Sequence, residues 1–452
     1  MKHWTPQQVA EAAGARLIAR APQATGPERA TIDSRDAGPG TLFVGLKGEQ
    51  EDGGRFVPEA LAAGAWGVLT TPEHAQTNQC APSGVLIAAD DPLKALQSLA
   101  TAWRRELGAE VIGVTGSTGK TSTKDLLLAL LAPHRRTVAS RANFNTEIGL
   151  PLEILAAPAG TEVLILEMGM RGVGQIAELA AIAQPDVAVI VSVGPVHLEL
   201  LGTIEAVAAA KAELIAGLKP GGTAITPAGE RLLELHRRAD VNTVSFGPGG
   251  DVRLVGETSS AVQIDAQGER IELQVPFTQV HLRLNLLAAV AAARAVGVTP
   301  SGRVEVSFSA GRGQRSELPG GVTIIDDCYN ANPMSMRAAL DDLAATASLR
   351  DGARTVAVLG DMLELGPDER SYHVQIGAHA AAAGVELLVT VGPLAVAIAD
   401  GFDGEVQCVA DAAEAAALVP ELLAPGDVVL VKASRGVGLE LVCEALLEGA
   451  NA

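Results

Sequence analysis

The chain has 452 residues, 48% of them hydrophobic and only 3% aromatic, so its cores must be built from Ala, Val, Leu and Ile. That length suggests about three domains, and aliphatic cores suit α/β layers. A net charge of −19 without a long basic run disfavours nucleic-acid binding, which needs a basic patch, whereas a single nucleotide needs only one loop and one metal.

The chain opens on Met1-Lys2-His3-Trp4, which lacks the apolar core of a signal peptide. Thr5, Pro6 and Gln8 predict a capped helix stopping at Gly14. A loop holding Ser34 and Arg35 precedes a strand near Thr41–Val44; its guanidinium could meet a phosphate or carboxylate, or simply be solvated. Alternating helix and strand signals continue to Leu107, where the first boundary falls.

The second unit starts with an apolar strand, Val111-Ile112, followed by Thr115-Gly116-Ser117-Thr118-Gly119-Lys120-Thr121 and a Leu-rich helix over Lys124–Leu131. Glycines let backbone N–H groups converge on an anion, the helix N-terminus adds its positive end, and Lys120 can reach outer phosphates. The Thr121 hydroxyl is placed to ligate Mg²⁺. The spacing is Gly-x-x-Gly-x-x-Gly-Lys-Thr rather than the strict P-loop pattern.

Asn143, Asn145 and Thr146 lie in a polar loop that could bind a substrate or cap the next helix. The runs Val163–Leu166 and Asp186–Val193 read as interior parallel strands, and the first ends at Glu167 while His197 follows the second. Ligands of such sheets bind beyond the carboxyl ends of the strands, so Thr121, Glu167 and His197 could converge on one Mg²⁺. Magnesium prefers oxygen, which makes His197 the weakest of the three ligands, and a histidine there could also be structural. Gly172-Val173-Gly174-Gln175-Ile176-Ala177 fits the dinucleotide fingerprint and offers a rival reading as a nicotinamide or flavin enzyme. Lys211 lies in a helical pattern over 205–218, where the bland reading is a solvated lysine; His281 and Asn285 are one turn apart at a helix start, facing a nucleotide or capping the helix.

The third unit, from about Arg315, alternates strand and helix in a Rossmann-like manner. Its strands near 322–325, 355–359, 387–391 and 428–431 are followed by polar loops, among them Asp326-Asp327-Cys328-Tyr329-Asn330-Ala331-Asn332-Pro333. The stretch 380–399 is broken by Glu386 and Gly392-Pro393, so it reads as helix end, strand, turn and helix rather than a membrane span. Cys80, Cys328, Cys408 and Cys443 lie far apart without Cys-x-x-Cys, which argues against a disulfide framework or zinc site. The expected units are 1–107, 108–314 and 315–452, and the expected location is the cytoplasm.

With these residues in view the chain resembles the Mur ligases, the ATP-dependent peptide ligases of peptidoglycan synthesis. The resemblance spans essentially the whole sequence. It rests on the Asp326–Pro333 octapeptide, on Leu359-Gly360-Asp361-Met362-Leu363-Glu364-Leu365-Gly366, and on Thr115–Thr121. The Asp-Asn-Pro-Arg usual in the MurE branch is missing, which favours members that join D-Ala-D-Ala to UDP-N-acetylmuramoyl-tripeptide; a MurE-like or folylpolyglutamate-type ligase is the alternative. A non-catalytic nucleotide-binding protein is the other class, and it would show no acceptor-dependent ADP formation.

The resemblance implies three α/β domains: a small N-terminal one, a central P-loop-type parallel sheet and a C-terminal Rossmann-like sheet. It implies ATP and Mg²⁺, a monomer, and no nucleic-acid or membrane partner. Ser34 and Arg35 match the family's Ser-Arg for the UDP end, and Asn143, Asn145, Thr146, Asp327, Lys432 and Arg435 fall at substrate positions. His281, Asn285, Arg312, Asn330 and Asn332 fall on the nucleotide side, with Arg315 a competitor for the role of Arg312. Lys120, His197 and Lys211 would be catalytic. Lys211 matches a lysine carbamylated in many relatives, which could then ligate a second metal beside Thr121, Glu167 and His197. Gly54, Thr146, Ser192 and Leu282 stand where the family commonly has His, Asn, Asn and Asn.

Overall fold

The structure is a computed structural model that describes residues 1–19, 25–78, 84–141, 143–350 and 352–449. Three sheets follow one another along the chain. The first has five strands in the order Arg16–Ala19, Val85–Ala88, Gly67–Thr70, Thr41–Val44 and Arg29–Thr31, all parallel but the first. Thr5 caps the helix Pro6–Ala12 in the reciprocal arrangement its sequence announces, with Gln8 answering from the third helical position.

The second sheet has ten strands. Its parallel centre runs Thr137–Ala139, Val163–Glu167, Glu110–Thr115, Val187–Ile190, Thr223–Pro227 and Asn242–Phe246. Both faces are covered. Ile112 and Val114 pack with Leu126, Leu130, Leu286 and Val290, while Val111 packs with Leu179, Val207 and Leu214 on the other side. A strand buried on both faces reads as a continuous apolar run, which is why these elements were legible. An antiparallel meander, Val252–Glu257, Ala261–Ala266 and Glu269–Gln274, extends the sheet.

The third sheet has six strands in the order Gln314–Glu317, Thr323–Asp326, Val428–Lys432, Thr355–Gly360, Leu387–Val391 and Glu405–Val409, with only the first antiparallel. The 380–399 stretch divides as expected, into the end of helix Glu369–Ala382, strand Leu387–Val391 and helix Val396–Ala399. Among the described residues no helix is long and apolar enough to cross a membrane.

Two expectations change. The helix after the phosphate loop starts at Lys120, four residues early, because Gly119 turns through φ +80° straight into it. The strand expected to reach Val193 stops at Ile190, and the next residues leave the ladder for the phosphate loop. The cysteines are also less scattered than their spacing suggests: Cys328 and Cys443 are buried together beside Asp326, with ligand atoms within 4.8 Å of one another. The hydrogen bond with Cys328 and then burial hold the Cys443 thiol above its usual range, so Cys443 is packed as a small hydrophobe rather than as a thiolate. Cys80 lies outside the described residues.

The first sheet is clamped to the second by helix Pro92–Leu107. Trp103, 1% exposed, donates to the Ala157 carbonyl at 3.0 Å and meets Trp4 edge-on with ring centroids 5.6 Å apart. Arg104 donates to the carbonyls of Ala183 and Gln184 at 2.8 and 2.9 Å. Trp103→Ala should therefore lower stability by about 3–5 kcal/mol, read by urea unfolding; a loss below about 1 kcal/mol would show that the clamp lies elsewhere.

Candidate active site

A cleft of about 1100 Å³ opens between the second and third sheets. Of the residues singled out from the sequence, it is lined by Ser117, Thr118, Gly119, Lys120, Thr121, Asn143, Asn145, Thr146, Glu167, His197, His281, Asn285, Arg312, Asp327, Asn330, Asn332, Lys432 and Arg435. Thr115, Gly116 and Lys211 sit behind this lining, and Ser34 and Arg35 lie outside it. Arg35 pairs with Asp33, Nη2 to Oδ2 at 2.6 Å, and holds that carboxyl down to about 2.

The phosphate loop is tied on all sides. Ser117 donates from its backbone to the Ser192 carbonyl at 3.0 Å, and Thr118 from its backbone to the Ser192 hydroxyl at 2.8 Å. Ser192 thus serves the loop directly, a role that its position four residues before Val196 does not reveal. Lys120 Nζ curls onto the Gly116 carbonyl at 2.9 Å. Burial, reinforced by Arg312 and opposed by Glu167, lowers its pKa.

Glu167, at the end of its strand, is 3% exposed. The Thr121 hydroxyl donates to one of its oxygens at 2.8 Å and the Asn145 amide to the other at 2.9 Å. Hydroxyl and carboxylate oxygens are the hard donors magnesium takes, so this pair fits that ion. Arg312 Nη2 donates to the same Thr121 hydroxyl at 3.2 Å, and its Nε is buried without a partner among the described residues. An orphaned guanidinium donor beside a phosphate loop fits an anion arriving there. Arg315 instead pairs with Asp342 at 2.7 Å, and of these two arginines only Arg312 lines the cleft.

Lys211 is 2% exposed in helix Ile204–Ala216 rather than solvated. Burial, then the neighbouring Lys120 charge, pushes its pKa well below that of a free lysine. His197 donates from Nδ1 to Glu364, yet burial outweighs that carboxylate and lowers its pKa. His281 is also shifted down by burial.

The third sheet contributes from the ends of its strands. Lys432 Nζ donates to Asp327 Oδ2 at 2.6 Å and to the Asn330 carbonyl at 2.9 Å, so it shapes the loop between them. Two guanidinium groups lie against the Tyr329 ring, Arg312 at 3.9 Å and Arg435 at 5.0 Å from its centroid. Asn332 caps helix Pro333–Ala347 and donates to the Ser117 carbonyl at 3.3 Å, joining the two units across the cleft.

The rival dinucleotide fingerprint is filled by the protein itself. The backbone N–H groups of Gly174 and Ala177 donate to the Glu213 carboxylate at 2.7 and 3.0 Å, which takes the place a pyrophosphate would need. Thr146 accepts from the Gly149 backbone at 3.4 Å, in the loop before helix Gly149–Ala156, whose N-cap is Ile148 without a side-chain cap. At Gly54 the space beside the missing side chain is taken by His74, whose ring atoms come within 2.2 Å of where a Cβ would stand.

A glycine phosphate loop over a doubly wound parallel sheet, closed by a Rossmann-like unit, defines a nucleotide-dependent α/β enzyme site. The comparisons carry this further. The Mur ligase middle domain matches residues 114–293, and the Mur ligase glutamate ligase domain matches residues 311–435. The UDP-N-acetylmuramoyl-tripeptide–D-alanyl-D-alanine ligase of Bacillus subtilis is 38% identical over 92% of each chain; that of Escherichia coli K12 is 32% identical over 92% of this chain and 93% of its own. MurF from Acinetobacter baumannii superposes with a TM-score of 0.87 at 30% identity, covering 98% of this chain and 99% of its own. MurF from Thermotoga maritima in complex with ADP does so with 0.81 at 30% identity, covering 94% and 98%. The chain belongs to the Mur ligase family.

At Gly119 a Cβ would stand 2.6 Å from Asn285 Oδ1, and φ is +80°. Gly119→Ala should weaken binding of a fluorescent ATP analogue by at least about tenfold, since strain and clash together exceed about 1.4 kcal/mol. Unchanged affinity would show that nucleotide does not depend on this turn.

Proposed function

We propose that the chain is an ATP-dependent, ADP-forming ligase that joins D-alanyl-D-alanine to UDP-N-acetylmuramoyl-tripeptide in cytoplasmic peptidoglycan precursor synthesis. The observation that carries the reading is a cleft where the loop Gly116–Thr121, with Lys120 and Arg312, meets Glu167 as its buried carboxylate. The activity for which the Bacillus subtilis relative is named and the ADP bound to the Thermotoga structure support it.

A peptide carboxylate is a poor electrophile. Transfer of a γ-phosphoryl group to it forms an O–P bond as the bond to ADP breaks, and the product is an acyl phosphate. The amine of D-Ala-D-Ala attacks its carbonyl, and phosphate leaves from the tetrahedral intermediate. Phosphoryl transfer asks the protein mostly for positioning and charge neutralisation. Lys120, Arg312 and the loop amides supply both. Asn285, Asn330, Asn332 and His281 border the nucleotide, and Asn143, Asn145, Asp327 and Arg435 the peptide substrates.

Thr121 and Glu167 would hold Mg²⁺, with His197 near them; the ion would add neutralisation of phosphoryl oxygens. Burial favours the uncharged form of the Lys211 amine, and in that form it would take up CO₂, forming an N–C bond and releasing one proton, and would then present carboxylate oxygens to a second metal. Units 1–107, 108–314 and 315–452 divide the work, with Ser34 and Arg35 of the first meeting the UDP end. Burial of the reacting groups between the second and third units keeps water from the acyl phosphate.

The direct test mixes the protein with Mg-ATP, the UDP-muramoyl tripeptide and D-Ala-D-Ala and looks by mass for the pentapeptide product. Lys120→Ala should cost about 100-fold or more in turnover, on the scale of losing a transition-state donor; near-normal turnover would refute its role. Lys211 gives a stability test. Its folded pKa lies below the unfolded value, so the unfolded chain binds more protons and stability rises with pH up to the unfolded lysine pKa. Lys211→Met should be more stable than the parent at pH 7 in bicarbonate-free buffer, with a shallower rise to pH 9 by urea unfolding. A parent more stable than Lys211→Met at both pH values would mean that the lysine has a partner in the fold.

A further inference from the structure

Of the few non-glycine residues that adopt positive φ among those described, His197 (53°) and Glu364 (63°) touch each other. Left-handed backbone costs about 1–2 kcal/mol per residue and persists where the surroundings impose it. Here the two strained turns face across the cleft, one following a strand of the second sheet and the other following a strand of the third. Glu199 donates from its backbone to the Glu364 carbonyl at 3.3 Å, and a Cβ on Gly366 would stand 3.2 Å from the Glu199 nitrogen. The turns are therefore packed backbone against backbone.

The Glu364 turn is fixed within its own unit. Met362 donates from its backbone to His373 Nε2 at 3.0 Å, and Leu363 to the Ser434 hydroxyl at 3.0 Å. Ser434 in turn donates from its backbone to the Asp361 carbonyl at 3.0 Å. Glu364 is thus delivered by a stiff support and arrives only where the third unit is docked. On the opposite side Arg171 lies 3.5 Å from its other oxygen.

An ionised carboxylate only accepts hydrogen bonds, so the His197 nitrogen facing it, Nδ1, must carry the proton. The second ring nitrogen then keeps its lone pair, and it has no hydrogen-bond partner among the described residues. A carboxylate behind an imidazole is the arrangement that orients a histidine toward a metal and fixes its tautomer.

We propose that Glu364 is a positioning residue: on docking of the third unit it holds His197 as the Nδ1–H tautomer, which presents Nε2 to the divalent cation beside Thr121 and Glu167. The inference rests on the metal role given to His197 above. It makes the metal site complete only in the docked arrangement, so that the nucleotide is not committed before the third unit is in place.

The test uses full-length protein with ¹⁵N-labelled histidines; His197 is identified among the 8 histidines by His197→Gln. Nitrogen shifts read the tautomer, and Mn²⁺ titrated with a non-hydrolysable ATP analogue reads the cation site by electron paramagnetic resonance. In the parent Nδ1 should be protonated. Glu364→Ala and the bulkier Glu364→Leu should move the proton to Nε2 and weaken Mn²⁺ about tenfold, the low end for losing a metal ligand's supporting partner. Glu364→Gln, whose amide oxygen still accepts, should restore both. An unchanged tautomer in Ala and Leu variants, alongside weakened Mn²⁺ in His197→Gln, would overturn the inference alone. Unchanged Mn²⁺ in His197→Gln would overturn the metal role on which it stands.

Discussion

Buried positive charge sets the terms for this molecule. The chain as a whole carries a net charge of −19, yet Lys120 and Lys211 are buried beside one another at its centre with Arg312 close by. Glu167 is the carboxylate that opposes Lys120, and it already accepts from Thr121 and Asn145. Burial lowers the pKa of both lysines, and the cost of holding a charged amine there falls when an anion arrives beside it. The charge pattern alone therefore selects a polyanionic ligand, and the glycine loop selects a phosphate chain.

The second constraint is that neither sheet makes the site unaided. Glu167, Lys120 and His197 come from the strand ends of the second sheet, while Tyr329, Asn332 and Glu364 come from those of the third. Asn332 to Ser117, Arg312 to Thr121 and Glu364 to His197 are among the polar contacts that join the two halves. Each uses a group that lines the cleft, so the contacts that hold the halves together also shape the site. The first sheet is attached differently, through Trp103 and Arg104, and its Arg35 faces away from the cleft lining toward Asp33.

What could be read from the sequence follows from the physics of interior parallel strands. Their apolar runs are unbroken and their polar loops follow at once, so the strands ending near Thr115, Glu167, Asp326 and Lys432 mark the site edge. The meander over 252–274 was not read, because its strands are half exposed and polar. Lys211 could not be told from a solvated lysine, since helical spacing alone does not say which face is covered. Contacts between distant positions were equally silent: Ser192 against Thr118, Glu213 capping the false dinucleotide turn, Cys328 beside Cys443, and His74 over Gly54. The different surroundings of Arg312 and Arg315 also needed three dimensions, because the strand Gln314–Glu317 carries Arg315 away to Asp342.

A crystal structure with magnesium and a non-hydrolysable ATP analogue tests the central claim most directly. The account predicts the triphosphate in contact with the backbone N–H groups of the Gly116–Thr121 loop, with Lys120 released from the Gly116 carbonyl and Arg312 turned onto the phosphates. A triphosphate bound elsewhere, with Lys120 still folded onto Gly116, would contradict it.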